Sequence, residues 1–335
     1  MSVLFVFVDG LGYGAPDPAS NPLVANKPAL PFLGPLLAAP EGPPAPGEAR
    51  PVRFEGCEGY LTSADACLGV PGLPQSATGQ TTLLTGVNAA AFVGRHVNAY
   101  PTGRLRRLLE ERNLLTLGAA AGRRVTFLNM FRPDGLELIL SGRRRPSATT
   151  AAALAAGVRL RTVEDLLAGR AVYHDVTCWT IVGQHYGVPL VTPEEAARRA
   201  LNVAREHDLC LYEYFLTDIA GHSRETELCS LVLGNLDRFL ATCVRDSGGR
   251  ITLVLASDHG NVEDLSVGTH TANPVPVLAF GAGARSAVDG VGCITAVAGR
   301  LASLAGIPLP DPPPDPRPGD PGRKSTGGPD ELPDA

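Results

Sequence analysis

Apolar residues fall along this chain in short uninterrupted runs, separated by longer stretches in which they recur every three or four positions. The runs at residues 3–8, 124–129, 209–215, 251–256 and 275–280 have strand length and are rich in β-branched and aromatic side chains. Each predicts a strand buried on both faces. Helical spacing separates them, most plainly over 103–115, 192–207 and 228–249, and again over 294–310. Thr192-Pro193-Glu194-Glu195 marks a helix start: a capping hydroxyl, a proline whose missing N–H is no loss in the first turn, and acidic groups beside the positive helix end. The alternation predicts an open α/β sheet, mostly parallel, with helices on both faces.

In such a sheet, ligands collect beyond the carboxyl ends of the strands. Three strand ends carry unusual polar residues. The first yields Asp9, the third Asp218 and His222, and the fourth Asp258 and His259, with His270 eleven positions further on. Imidazole and carboxylate together suit Zn, Mn or Fe, and six such groups exceed what one ion takes up. Asp218 and His222 have the spacing that puts two side chains on one face of a helical turn. Asp258 and His259 stand side by side at a strand terminus, so the pair can serve two neighbouring ions. Two ions a few ångströms apart are the clamp for in-line phosphoryl displacement. The loop at 72–82, just before a short helix, supplies a hydroxyl nucleophile, Ser76 with Thr78 as the alternative. A hydroxyl there sits among free backbone N–H groups that can hold a phosphate.

Taken singly, these residues are ordinary. An Asp after a strand commonly caps a turn, a DxxxH pair decorates many solvated helices, and Ser76 reads equally as an N-cap. Their joint convergence on one sheet edge is what points to a site. His174, His185 and His207 read as surface or core residues, and Tyr212 and Tyr214 as packing.

Composition narrows the partners. The 335 residues are 44% hydrophobic and 19% charged, which excludes a disordered chain, and 29 Lys+Arg against 34 Asp+Glu leave a net charge of −5. No basic field invites nucleic acid or an anionic membrane, so a small molecule is the expected partner. No apolar stretch reaches the roughly 20 residues of a membrane span, and no signal peptide is evident. The seven cysteines are scattered, with no CxxC pair, as in a reduced cytoplasmic protein.

The ordered set Asp9-Gly10, Gln75-Ser76-Ala77-Thr78-Gly79, Asp218-x-x-x-His222, Ser257-Asp258-His259-Gly260 and Gly268-Thr269-His270 resembles the alkaline phosphatase superfamily. The likeness is greatest to its metalloenzyme branch, which contains cofactor-independent phosphoglycerate mutase and phosphopentomutase. It covers roughly residues 1–95 and 195–305. The resemblance implies a three-layer α/β sandwich and two divalent ions, Mn or Zn. One would be held by Asp218, His222 and His270, the other by Asp9, Ser76, Asp258 and His259. The lengths between these motifs leave a core over 1–130 and 192–308 and room for a small cap or insertion over 131–191, and composition predicts a disordered Pro-rich tail over 309–335. Where the mutases carry an acidic residue and a histidine around the nucleophile, this chain has Ala77 and Gln80, and Ser-Ala looks more like the phosphatases. Arg132, Arg143, Arg144 and Arg145 in the cap, with Arg95 and His96, are candidates to grip a phosphate or carboxylate of the substrate. The expectation is a metal-dependent phosphatase acting on a small phosphate ester through a phosphoserine. The alternatives are a phosphomutase and a non-catalytic sensor of a phosphorylated ligand.

Overall fold

The computed structural model describes residues 1–312. Most of the expected Pro-rich tail, residues 313–335, lies outside the described residues. All five apolar runs form strands: β1 (Ser2–Val8), β4 (Val125–Phe127), β5 (Leu209–Tyr214), β6 (Ile251–Ser257) and β7 (Val275–Phe280). Two further strands, β2 (Arg50–Phe54) and β3 (Cys57–Ala64), form a hairpin that the hydrophobic pattern does not reveal. Its outer half alternates between exposed and half-buried positions, and its turn is Glu55-Gly56, both at positive φ (45° and 82°), rather than the Asn-Gly or Asp-Gly that flags a hairpin.

The sheet order is β2-β3-β7-β6-β1-β5-β4. The pairings β6–β1, β1–β5 and β5–β4 are parallel and the other three antiparallel, so only β2 and β7 run against the remaining five. Successive side chains of β1 part to opposite faces. Leu4, Val6 and Val8 join one core with the helices Pro193–Arg205 and Thr226–Asp246. Val3, Phe5 and Phe7 join the other with Ser76–Thr85, Leu114–Ala120 and Val297–Ala305. The result is the expected three-layer sandwich.

Two helical expectations change in detail. The single helix predicted over 103–115 is broken into Gly103–Glu111 and Leu114–Ala120, because Asn113 caps the second piece, accepting from Leu115 N at 2.8 Å and Thr116 N at 3.0 Å. Residues 131–191 divide in three, the last part forming a small core of its own in which Val163, Leu166, Tyr173, Cys178, Ile181 and Val188 pack with Met130. The helix Pro133–Leu140 has no buried residue and stands over the strand ends. The helix Ala148–Ala155 instead packs on Ser76–Thr85 and Gly103–Glu111, its small alanines entering the core of that face. No helix among the described residues is long and apolar enough to cross a membrane, and all seven cysteines are free.

Candidate active site

The three central parallel strands β5, β1 and β6 deliver the acidic groups to one edge. Asp9 follows β1 directly, and its N–H donates to Tyr214 O of β5 at 2.9 Å. Asp258 and His259 follow β6, both fully buried. Asp218 and His222 lie one turn apart on the helix Leu216–Ser223, which starts where β5 ends. The Ser76 helix crosses above them, and Gly79 sets how near it comes: a Cβ there would lie 2.7 Å from Asp258 Cβ and 2.8 Å from Asp258 O.

All six candidate ligands converge. His259 Nε2 lies 3.1 Å from Asp9 Oδ1, 3.5 Å from Asp258 Oδ2 and 3.0 Å from Ser76 Oγ. His270 Nε2 lies 3.4 Å from Asp218 Oδ1 and 3.1 Å from His222 Nε2, and His222 Nε2 lies 3.5 Å from Asp218 Oδ2. The two groups touch through the stacked rings of His259 and His270, 3.7 Å apart.

The donor chemistry of these groups fits divalent cations. Each imidazole has Nδ1 against a backbone carbonyl: His259 on Gly260 O at 3.3 Å, His270 on Pro74 O at 2.8 Å and His222 on Gly268 O at 3.3 Å. A carbonyl only accepts, so the proton belongs on Nδ1 and the Nε2 lone pair faces the cluster, the usual arrangement of a metal-bound histidine. Two such lone pairs 3.1 Å apart, on His222 and His270, repel unless a cation lies between them. Asp9 Oδ1 and Asp258 Oδ2 are buried without a hydrogen-bond partner. Burial pushes the Asp258 carboxyl well above the usual range, and the charges of Asp9 and Asp218 push it further. Burial likewise raises Asp9. Burial opposes ionisation of Asp218 as well, but where no metal ion is bound and the imidazoles carry positive charge, a hydrogen bond from His270 and the charge of His259 bring it down to about 2. The donor atoms close enough together to hold an ion form two sets that share His259, one of Asp9, Asp258 and His259 and one of Asp218, His259 and His270, with Ser76 and His222 at their edges.

Ser76 and Thr78 occupy different settings. Ser76 opens its helix after an extended Gln75 and lines a cavity of about 520 Å³. Thr78 is fully buried; its hydroxyl donates to Gln75 O at 3.0 Å and accepts from Val97 N at 3.3 Å.

Of the expected substrate-gripping residues, Arg132, Arg144 and Arg145 line the Ser76 cavity. Arg95 and His96 line a neighbouring one, which Arg145 also reaches. Arg143 is turned away: it pairs with Glu137 at 2.6 Å and donates to Ser141 Oγ at 3.0 Å. Other residues have a place at the site that the sequence reading did not assign to them. Gln80, one helical turn after Ser76, donates to Asp9 Oδ2 at 3.0 Å, and its i+4 spacing was the available signal. Asn261 donates to Asp218 Oδ1 at 2.6 Å. The buried Glu263 accepts from Gly12 N at 2.9 Å, Asn261 N at 2.7 Å and Asn273 Nδ2 at 3.1 Å, tying three loops of the site together. Glu213 lines the Ser76 cavity; burial pushes its carboxyl up to about 8, against the Thr149 hydroxyl that donates to it at 2.7 Å. His174 lines the same cavity, held between Tyr173 and Phe215, where burial keeps it neutral down to about pH 3.

A family model described as the Metalloenzyme superfamily matches residues 1–309 of this chain. A 2,3-bisphosphoglycerate-independent phosphoglycerate mutase of Agrobacterium fabrum is 34% identical over 117 residues, covering 32% of this chain and 23% of the mutase. The chain thus matches only about a quarter of the length of the curated mutases it resembles. Among solved structures, the alkaline phosphatase of the Antarctic bacterium TAB5 superimposes with a TM-score of 0.51 at 11% identity, covering 91% of this chain and 98% of the phosphatase. That of Thermus thermophilus gives 0.51 at 13% identity, covering 92% of each. At such identity the likeness is one of fold, and the fold of this chain is alkaline-phosphatase-like.

Proposed function

Because this chain belongs to the Metalloenzyme superfamily, we propose that it is a two-metal phosphoryl-transfer enzyme, in which Ser76 takes the phosphoryl group of a small phosphate ester and water then releases it as inorganic phosphate. The observation that carries this reading is the position of the Ser76 hydroxyl: first residue of a helix, open to a cavity, and 3.0 Å from His259 Nε2 at the edge of a buried nest of three carboxylates. Divalent ions bound there, Mn or Zn, would lower the pKa of the serine hydroxyl and of water, and would offset charge on the phosphoryl oxygens. The rest of the chemistry belongs to the chain. The Ser76 hydroxyl gives up its proton to solvent water as its oxygen attacks phosphorus; the bond between phosphorus and the ester oxygen breaks, and that oxygen takes a proton from solvent water to leave as the alcohol. Water then attacks the phosphoserine, restoring the hydroxyl. The first-turn amides of the helix favour the dianion, and Arg132 and Arg144 orient the ester. Gln80 holds Asp9 in place, and Asn261 does the same for Asp218. Seven free cysteines support a reducing, cytoplasmic setting.

Hydrolysis is favoured over return of the phosphoryl group to the substrate. A mutase must enclose its intermediate and keep water from the phosphoenzyme. What stands over Ser76 here includes the eight-residue helix Pro133–Leu140, which is too short to enclose the site by itself, has no fully buried side chain, and is anchored by the partly buried Leu136 and by Tyr186 donating to Asp134 at 2.8 Å. The mutase is the second reading, favoured by the local identity to phosphoglycerate mutases. The test is a time course in Mn or Zn of free phosphate beside NMR of the ester. Phosphate should appear as fast as substrate disappears and should stop on chelation. An isomerised ester with little free phosphate would install the mutase, and neither product from a broad panel of esters would leave the ligand sensor.

A further inference from the structure

Beside the Ser76 cavity lies a larger one of about 1030 Å³ that the phosphoryl chemistry leaves unused. It is walled by the loop entering the Ser76 helix and by the segment 93–104, and it is lined by Arg95, Arg104, Arg106, Arg145 and His96 with no carboxylate among the lining residues. Arg104 is engaged, donating to Phe92 O at 2.7 Å with its guanidinium 4.8 Å over the Phe92 ring. The other three are not. Among the described residues no carboxylate comes within ion-pair distance of Arg95, Arg106 or Arg145, in contrast to Arg143 on Glu137 nearby. Arg106 is half-buried and Arg95 and Arg145 are exposed, and none of the three makes a side-chain hydrogen bond among the described residues, so their guanidinium donors are free for a ligand.

The two cavities share Asn98, Ala99, Tyr100 and Arg145 in their walls, so one ligand can reach from Ser76 into the arginine-lined space. The shared wall is held in an unusual shape, with Ala99 at φ 55° and its N–H on Asn98 Oδ1 at 2.7 Å. Guanidinium forks match phosphate oxygens, and three of them suit a group of nearly two negative charges better than a single carboxylate. The volume also exceeds what one phosphate fills, leaving room for the carbon skeleton that joins two of them.

We infer that the arginine-lined cavity is a second phosphate subsite, and that the substrates are small bisphosphate esters with one phosphoryl group at Ser76 and the other on Arg95, Arg106 and Arg145. The inference rests on the phosphoryl-transfer reading above for the role of Ser76. It can be tested without turnover, by calorimetric titration of the metal-loaded full-length Ser76→Ala protein. The probes are alkane-α,ω-diyl bisphosphates of increasing length, the matching ω-carboxyalkyl phosphates, and alkyl monophosphates. At one optimal length the bisphosphate should bind at least about tenfold tighter than the monophosphate, with the carboxylate probe between them. Arg106→Ala should remove about tenfold of that preference, and Arg145→Ala, on an exposed loop, repeats the test should Arg106→Ala fold poorly. No preference at any length overturns the inference, as does a preference that is independent of length or untouched by both substitutions. Phosphate release from monophosphates without a bisphosphate preference defeats this inference alone. A bisphosphate preference in a wild-type chain that releases phosphate from no ester defeats the phosphoryl-transfer reading and leaves the subsite standing.

Discussion

Two hydroxyls two residues apart, Ser76 and Thr78, differ in what surrounds them, and that difference decides which is available for attack. The Thr78 hydroxyl is held by Gln75 O and Val97 N inside the protein, whereas Ser76 faces a cavity. Ser76→Ala should therefore lower turnover by about 10³-fold or more while metal content and melting temperature stay near wild type. Mass spectrometry after brief incubation with substrate should place phosphate on Ser76; finding it on Thr78 would reverse the assignment. Away from the site, Asp237 is fully buried, accepts from Phe32 N at 3.1 Å and Leu33 N at 2.6 Å, and has a second oxygen with no partner. Burial pushes its carboxyl up to about 6. The folded protein thus holds a proton that the unfolded chain gives up near pH 4. The stabilisation this provides is full below pH 4 and is lost as pH rises through about 6. Asp237→Asn should keep the accepting oxygen, remove the charge, and stabilise the protein at pH 7 by about 1 kcal/mol. Denaturant melts from pH 4 to pH 7 check this: the wild type should lose stability relative to the variant across that range, and parallel curves would contradict it.

Elements place these residues, and the Ser76 helix does so through one glycine. Gly79 lies against the backbone and Cβ of Asp258, so any larger residue must lift the helix from the end of β6. Gly79→Ala should cost about 1–3 kcal/mol as overpacking. Turnover should fall further, by about 10²-fold, because displacing a reacting group by ~1 Å has that order of effect. Activity above half of wild type in a folded Gly79→Ala protein would show that the helix has slack. The strands and most helices were legible because a buried strand and an amphipathic helix each impose a period on the sequence. The β2–β3 hairpin was not, since an edge hairpin needs no continuous apolar run. Nor was the break at Asn113, where one capping side chain overrides a pattern that continues through it.

At the scale of the whole molecule, the described chain closes on itself at its carboxyl end, where Arg112 donates to Pro310 O at 2.6 Å and Asp311 O at 3.0 Å, and to Thr85 O at the end of the Ser76 helix at 3.1 Å. A chain ending at Pro312 should keep the melting temperature and activity of the full chain, because residues 313–335 are mostly Pro, Gly, Asp and other polar types with little apolar surface to bury. A chain ending at Pro308 should melt lower, and thermal melts of both distinguish them. By itself the sequence determined the sandwich, the strand ends that carry chemistry, and the six metal-binding candidates, because hydrophobic period and strand order confine polar residues at those ends to one edge. Only the tertiary structure decided how they group. It set which histidine nitrogen faces the cluster, turned Arg143 outward onto Glu137, and brought Glu213, Asn261 and Glu263 to the site. It also joined the arginines of two distant segments, 95–106 and 145, around one cavity. Those outcomes depend on distances between side chains far apart in the chain, and such distances leave no period in a sequence.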